Sequence, residues 1–215
     1  MAGRKRRGRP PHDDVLTPTE VTAKPLHTGR APTTSGGRPW IGLFRAINVG
    51  GRNLLPMKEL VALLAEEGFD EVRTYIQSGN VVFRGAGTAR AIGARIVAAV
   101  ARRFGFRPQL LLMSGADLTR AAAANPYPEA CAKPQYLHLW FLGKAPTAAA
   151  TRSLEALRAP GERFMVRGRV LYLEAPRGIG RSRLAARAEH LLGVPATARN
   201  WRTVTRLLEM ARRAD

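Results

Sequence analysis

The sequence predicts an α+β protein built from two ferredoxin-like (βαββαβ) halves in tandem, with a closing helix and a disordered basic tail ahead of them. Three observations carry this. Apolar residues change period in a regular order from Trp40 onward, alternating strand-like runs with helix-like stripes. That order reads β-α-β-β-α-β, and it then recurs. Residues 1–38, in contrast, are rich in Pro, Gly, Thr and Arg and show no period at all.

The elements follow in order. "WIGLFRAI" is a short apolar run that suits a buried strand. A helix follows, opened by Pro56 in its first turn and striped by Met57, Leu60, Val61 and Leu64, with Gly68 where helices stop. "EVRTYIQ" and "NVVFR" are strands, and Ser78-Gly79 between them signals a two-residue hairpin. Ile92, Ile96, Val100 and Phe104 stripe a helix over 88–104. "FRPQLLLM" is the fourth strand, and Pro108 places it on an edge. A connecting helix near 115–124 leads into the second half. There "YLHLWFL" is a strand, 147–158 a helix, and "ERFMV" and "RVLYLE" a hairpin about Arg167-Gly168. A helix over 182–192, a short strand "PATAR" and a terminal helix over 201–213 complete the chain, with Val204 and Leu208 beside Trp201 as packing residues. The expected division is a tail at 1–38, half one at 39–114, and the connecting helix, half two and C-terminal helix at 115–215.

Charge narrows the partners. The chain of 215 residues has 35 Lys+Arg against 16 Asp+Glu, a net +19. With eight basic and three acidic residues the tail carries +5, which leaves +14 on the body. Such a balance favours polyanions. Arg far outnumbers Lys, a bias that a GC-rich genome would also produce. The one cysteine, Cys131, cannot close an internal disulfide, which fits a reducing cytoplasm. No apolar run reaches the length of a membrane span, and the basic start lacks the apolar core of a secretory signal, so no membrane partner is expected.

Four separate stretches, "FRAINVGGRNLLPMKEL", "VRTYIQSGNVVF", "GIGRSRL" and "ATARNWRTVTRLLEMA", resemble the bacterial family labelled domain of unknown function 1697. The resemblance spans about residues 39–215 and leaves out the tail. The first stretch departs mildly, with Ala46 where Gly is common. The resemblance implies two ferredoxin-like halves and no established activity, so function has to be argued from the residues.

In a ferredoxin-like sheet the end of strand one, the end of strand two and the start of strand three share an edge. "INVGG" and "IQSGN" are therefore expected to meet. That edge would gather Asn48, Gly50, Gly51, Asn53, Gln77, Ser78 and Asn80, with Arg45 and Arg52 close in sequence. Side-chain amides donate and accept together, and Gly-rich backbone at a helix start can hold a phosphate or carboxylate. The same residue types also serve plain turns. A second candidate anion site is Gly178, Gly180, Arg181, Ser182 and Arg183, ahead of a helix that Ser182 could cap. In the tail, Arg7-Gly8-Arg9-Pro10 matches an AT-hook core that could reach into a narrow minor groove of DNA. If the fold served as an RNA-recognition module, Trp40, Phe44 and Phe83 would be the stacking aromatics.

No catalytic set stands out. His12, His27, His138 and His190 are scattered, without Cys or carboxylates at metal-ligand spacing, and Ser78 has no evident base. No cofactor or metal is called for. The leading expectation is a cytoplasmic protein that binds an anionic ligand, most directly nucleic acid through phosphate contacts. The alternatives are an enzyme acting on a small phosphorylated or carboxylated metabolite at the amide-rich edge, and a protein–protein adaptor with an Arg-rich face.

Overall fold

The computed structural model describes residues 20–22, 37–48 and 50–213. The AT-hook-like Arg7, Gly8 and Arg9 lie outside them, as does most of the tail. Glu20–Thr22 forms a strand, β1, so at these three residues the chain is not the structureless tail expected of 1–38.

Two antiparallel sheets organise the described chain. The first half contributes β2 (Arg38–Arg45), α1 (Met57–Glu66), β3 (Asp70–Tyr75), β4 (Asn80–Gly85), α2 (Ala89–Phe104) and β5 (Gln109–Ser114). Its sheet runs β1-β3-β4-β2-β5. After the connecting helix α3 (Gly115–Ala123) come β6 (Leu137–Leu142), α4 (Ala148–Ser153), β7 (Arg163–Arg167), β8 (Val170–Glu174), α5 (Arg183–Leu192), β9 (Ala196–Asn200) and the terminal helix α6 (Trp201–Arg212). The second sheet runs β7-β8-β6-β9. No helix of the described residues is long and apolar enough to cross a membrane.

The layers follow from strand alternation. Trp40, Phe44, Val81 and Phe83 project to one face of the first sheet, where α1 and α2 cover them. Ile41, Leu43, Val82 and Met113 project to the other and meet Leu137, Leu139 and Phe141 of the second sheet, with Leu118 of α3 and Val204, Leu207 and Met210 of α6 wedged between. The far face of the second sheet, with Trp140, Leu142, Leu171 and Leu173, packs on Leu184, Ala188 and Leu192 of α5. Both faces of the first sheet are thus covered. Trp40, Phe44 and Phe83 are at most 1% exposed. They cannot serve as an open stacking platform, because the helices they anchor occupy that space.

Three local details differ from the sequence expectation. The β3–β4 connection is four residues, 76–79, with Tyr75 paired to Asn80. Gly79 is drawn out of the hairpin because its carbonyl accepts from Phe44 N of β2 at 2.8 Å. The β7–β8 turn is Gly168-Arg169, since Arg167 still pairs with Val170. The helix expected over 147–158 ends at Ser153 and tightens into a 3₁₀ turn, Glu155–Leu157, where the buried Leu154 accepts from Leu157 N at 3.0 Å.

Candidate functional site

The loops "INVGG" and "IQSGN" do come together. Asn48 joins them: its side-chain nitrogen donates to Leu55 O at 3.0 Å and to Gln77 O at 3.1 Å, while its oxygen accepts from Leu55 N at 2.7 Å. Asn53 donates to Ala46 O at 3.0 Å. Asn80 is fully buried, not on the exposed edge, and donates to Tyr75 O at 3.1 Å and Ser78 Oγ at 2.8 Å. These amides therefore hold backbone. A cleft of about 480 Å³ remains at the junction, lined by Arg45, Asn48, Ile76, Gln77 and Ser78 of half one and by Thr197 and Arg199 of half two. Gly50, Gly51 and Asn53 are exposed and are not among its lining residues.

Backbone strain concentrates at this junction. Five described non-glycine residues have positive φ, and four of them are here: Ala46 (52°), Asn48 (55°), Asn53 (51°) and Ile76 (48°). Asparagine tolerates that region, but a β-branched residue does so at a cost of about 1–3 kcal/mol. Gly79, at φ 75°, has no room for a side chain: a Cβ would stand 2.7 Å from Phe44 Cβ.

Arg199 fixes the arrangement; it lies within the quoted stretch "ATARNWRTVTRLLEMA" but is not among the candidate site residues. Its Nε donates to Asn80 Oδ1 at 2.5 Å. One terminal nitrogen donates to Thr197 Oγ1 and Ala198 O, both at 2.8 Å. The other donates to Phe44 O at 2.9 Å and Ser78 O at 3.2 Å. All five N–H groups have acceptors, and every acceptor is neutral. Burial draws its pKa down to about 10, so it stays charged at neutral pH. Arg45, nearby, is instead neutralised by a bidentate pair with Glu189 of α5, at 2.5 and 2.6 Å.

The second candidate, Gly178–Arg183, forms a 3₁₀ turn (Ile179–Arg181) and a helix start. Ser182 is buried and accepts from Ala185 N at 3.0 Å, so its hydroxyl caps α5. Gly178 has φ 88°, and Arg181 and Arg183 are exposed.

A larger groove of about 870 Å³ lies where β5 faces the second half. Leu110–Met113 form one wall along the outer edge of β5, with Ala89, Gly93 and Ala94 of α2 beside them, and Phe141, Leu142 and Val170 opposite. Arg90, Arg120, Arg167 and Arg169 line it. An adjoining groove of about 500 Å³ shares Arg120 and adds Arg38 and Arg212. Asp117 lines the larger groove and pairs with Arg120. Its partial burial would raise its pKa, but hydrogen bonds from Ser114 and the charges of Arg120 and Arg169 overcome this and hold it low. Elsewhere, acids neutralise arginines: Arg102 with Glu67, Arg103 with Glu66, Arg163 with Glu129 and Glu174. Arg90 and Arg169 have no such pair among the described residues.

The remaining reactive groups do not assemble. Cys131 is half-buried, which pushes its thiol pKa up despite a hydrogen bond from Asn125. His138 lies in β6, where burial lowers its pKa. Among the described residues no three His, Cys, Asp or Glu side chains form a group able to hold a metal.

No curated protein matches this chain. A solved conserved bacterial protein from Streptococcus pneumoniae has a similar fold, with a TM-score of 0.59 and 22% identity over 80% of this chain and 98% of that one. Residues 38–172 match the family described as protein of unknown function (DUF1697), and the chain belongs to that family.

Proposed function

We propose that this protein binds a nucleic-acid strand through phosphate contacts along the two adjoining grooves. The observation that carries the reading is the shared line of arginines: Arg90, Arg167 and Arg169 on one groove, Arg120 common to both, and Arg38 and Arg212 on the other. Guanidinium groups suit phosphates because they offer several donors in a fixed plane. Asp117 pairs with Arg120 on this track, but Arg90 and Arg169 have no ion pair among the described residues, which leaves the track with a surplus of positive charge. The apolar floor, Leu110, Leu112 and Val170, suits the bases of a single strand better than a closed duplex. We read each half as ferredoxin-like, a reading supported by strand orders in which the third strand lies between the first and second. A cytoplasmic location fits the same reading.

The test is the salt dependence of binding. A fluorescent single-stranded oligonucleotide titrated with the full chain should bind with log K falling linearly with log salt. Arg90→Gln with Arg169→Gln should weaken binding and reduce the slope by about one to two, because one or two phosphate contacts are lost. Binding without a salt slope, or a double variant with unchanged slope, would overturn the reading. Capture of an acidic extended peptide in place of the oligonucleotide would assign the open edge of β5 to a protein partner instead.

A further inference from the structure

We infer that the cleft at the amide-rich edge is a second site, separate from the arginine grooves, and that it takes a small oxyanion: a phosphate or carboxylate group presented by a small ligand. The argument starts from hydrogen-bond accounting. Arg199 and the Asn80 side-chain nitrogen can only donate. Arg199 donates to the Thr197 hydroxyl at 2.8 Å, and Asn80 donates to the Ser78 hydroxyl at 2.8 Å. Each hydroxyl oxygen is therefore occupied as an acceptor, and each keeps its own proton to give. Ser78 and Thr197 both line the cleft. Gln77 lines it too, is exposed, and has no hydrogen bond to its side chain among the described residues. Its amide nitrogen is a third donor.

Charge points the same way. Arg199 is a desolvated cation whose five acceptors are all neutral. A buried charge without a counter-charge is costly, and an anion seated beside it removes part of that cost. Arg45, the other cation lining the cleft, already has Glu189. The surplus at the cleft is therefore that of Arg199, which supplies field while Ser78, Thr197 and Gln77 supply the contacts. A volume of about 480 Å³ admits a small metabolite. The ligand class is accordingly a phosphorylated or carboxylated small molecule held by its acidic group.

The experiment uses the full chain in a phosphate-free buffer, with inorganic phosphate and acetate as probes. The melting temperature should rise with probe concentration as mass action requires. Calorimetric titration should give saturable binding for at least one probe. Gln77→Ala and, separately, Ser78→Ala should weaken it by about tenfold, the worth of one hydrogen bond to a charged group. Gln77→Ala removes no bond that the fold uses, so it keeps the test clear of misfolding. Arg90→Gln with Arg169→Gln should leave probe binding unchanged. No response to either probe overturns the inference. So does unchanged affinity in both cleft variants, or loss of probe binding in the groove variant, which would place the anion on the arginine track.

Discussion

In the cleft, the loops of half one meet β9. In the large groove, the loops of half two meet β5. The two places correspond residue by residue. Phe44 N bonds Gly79 O at 2.8 Å in one, and Leu142 N bonds Arg169 O at 2.9 Å in the other. Three residues back along each strand, Ile41 pairs with Met113 and Leu139 pairs with Arg199. Met113 and Arg199 thus hold the same position on the fourth strand of their halves. The next residues, Ser114 and Asn200, each cap the helix that follows. At that position the side chains differ: a guanidinium fills one junction with polar bonds and ties the halves together, and a thioether stands in the other. The cleft of about 480 Å³ is therefore latched by Arg199, while the groove of about 870 Å³ keeps Leu110, Leu112 and Met113 along one wall. At two equivalent positions a single side chain decides which backbone acceptors are satisfied from within.

Making the two junctions alike is the strongest way to break this contrast. Arg199→Met would place the groove's residue in the cleft. The buried Asn80 Oδ1 and the carbonyl of the buried Phe44 would lose a donor, while the exposed Ser78 carbonyl would turn to water. The expected loss is about 2–4 kcal/mol in urea denaturation, since unsatisfied buried acceptors are worth more than the bond itself. A loss below about 0.5 kcal/mol would mean that the latch is redundant.

Arg199 also marks the limit of what the sequence makes legible. Strands, helices and caps announce themselves locally: Pro108 places β5 on an edge, Ser182 caps α5, and the Trp40 strand reads from eight consecutive residues. The meeting of Asn48 with Gln77 follows from topology alone. The partners of Arg199 in half one lie 119 to 155 residues away, so no local pattern shows what it will bind. The amides were legible as a cluster but not in their role, because whether an Asn side chain faces a ligand or its own backbone depends on how the turns close. The four-residue turn was hidden for a similar reason: it depends on a hydrogen bond to β2, not on the turn's own residues. The groove combines α2, β5 and the second half, so no stretch of sequence contains it.

The paired helix caps sharpen the comparison at smaller scale. Ser114 accepts from Asp117 N at 3.1 Å while Asp117 accepts from Ser114 N at 3.1 Å, a reciprocal capping box. Asn200 only accepts from Thr203 N, at 2.9 Å. Ser114→Ala should cost about 1–2 kcal/mol and Asn200→Ala about 1 kcal/mol or less. The excess at Ser114 should vanish in acid. The Asp117 pKa is lower in the folded chain than in the unfolded one, so its contribution is present above the unfolded value and is lost as pH falls through the folded value. Equal costs at every pH would show that Asp117 adds nothing to the cap.

The smallest effect concerns His138, which holds in half two the place of Trp40 in half one. Trp40 pairs with Ser114 and His138 with Asn200, the two capping residues. Trp40 is satisfied: its indole N–H donates to Gly85 O at 3.0 Å. His138 is buried with Nδ1 lacking a partner, and burial lowers its pKa despite a backbone bond at Tyr136 that favours the charged form. The unfolded chain therefore takes up the proton first as pH falls. Stability should be flat above the ordinary histidine value of about 6.5 and should decline below it until the folded pKa is reached. Replacing the ring by one that cannot titrate, His138→Phe, removes the linkage while keeping an aromatic in the same strand position. Denaturation midpoints of the two chains, measured from pH 7.5 down to pH 5.5, should diverge as the pH falls, with His138→Phe the less sensitive. Parallel curves would mean that His138 gains a partner on protonation, and that half two tolerates a charge at the position where half one keeps an indole.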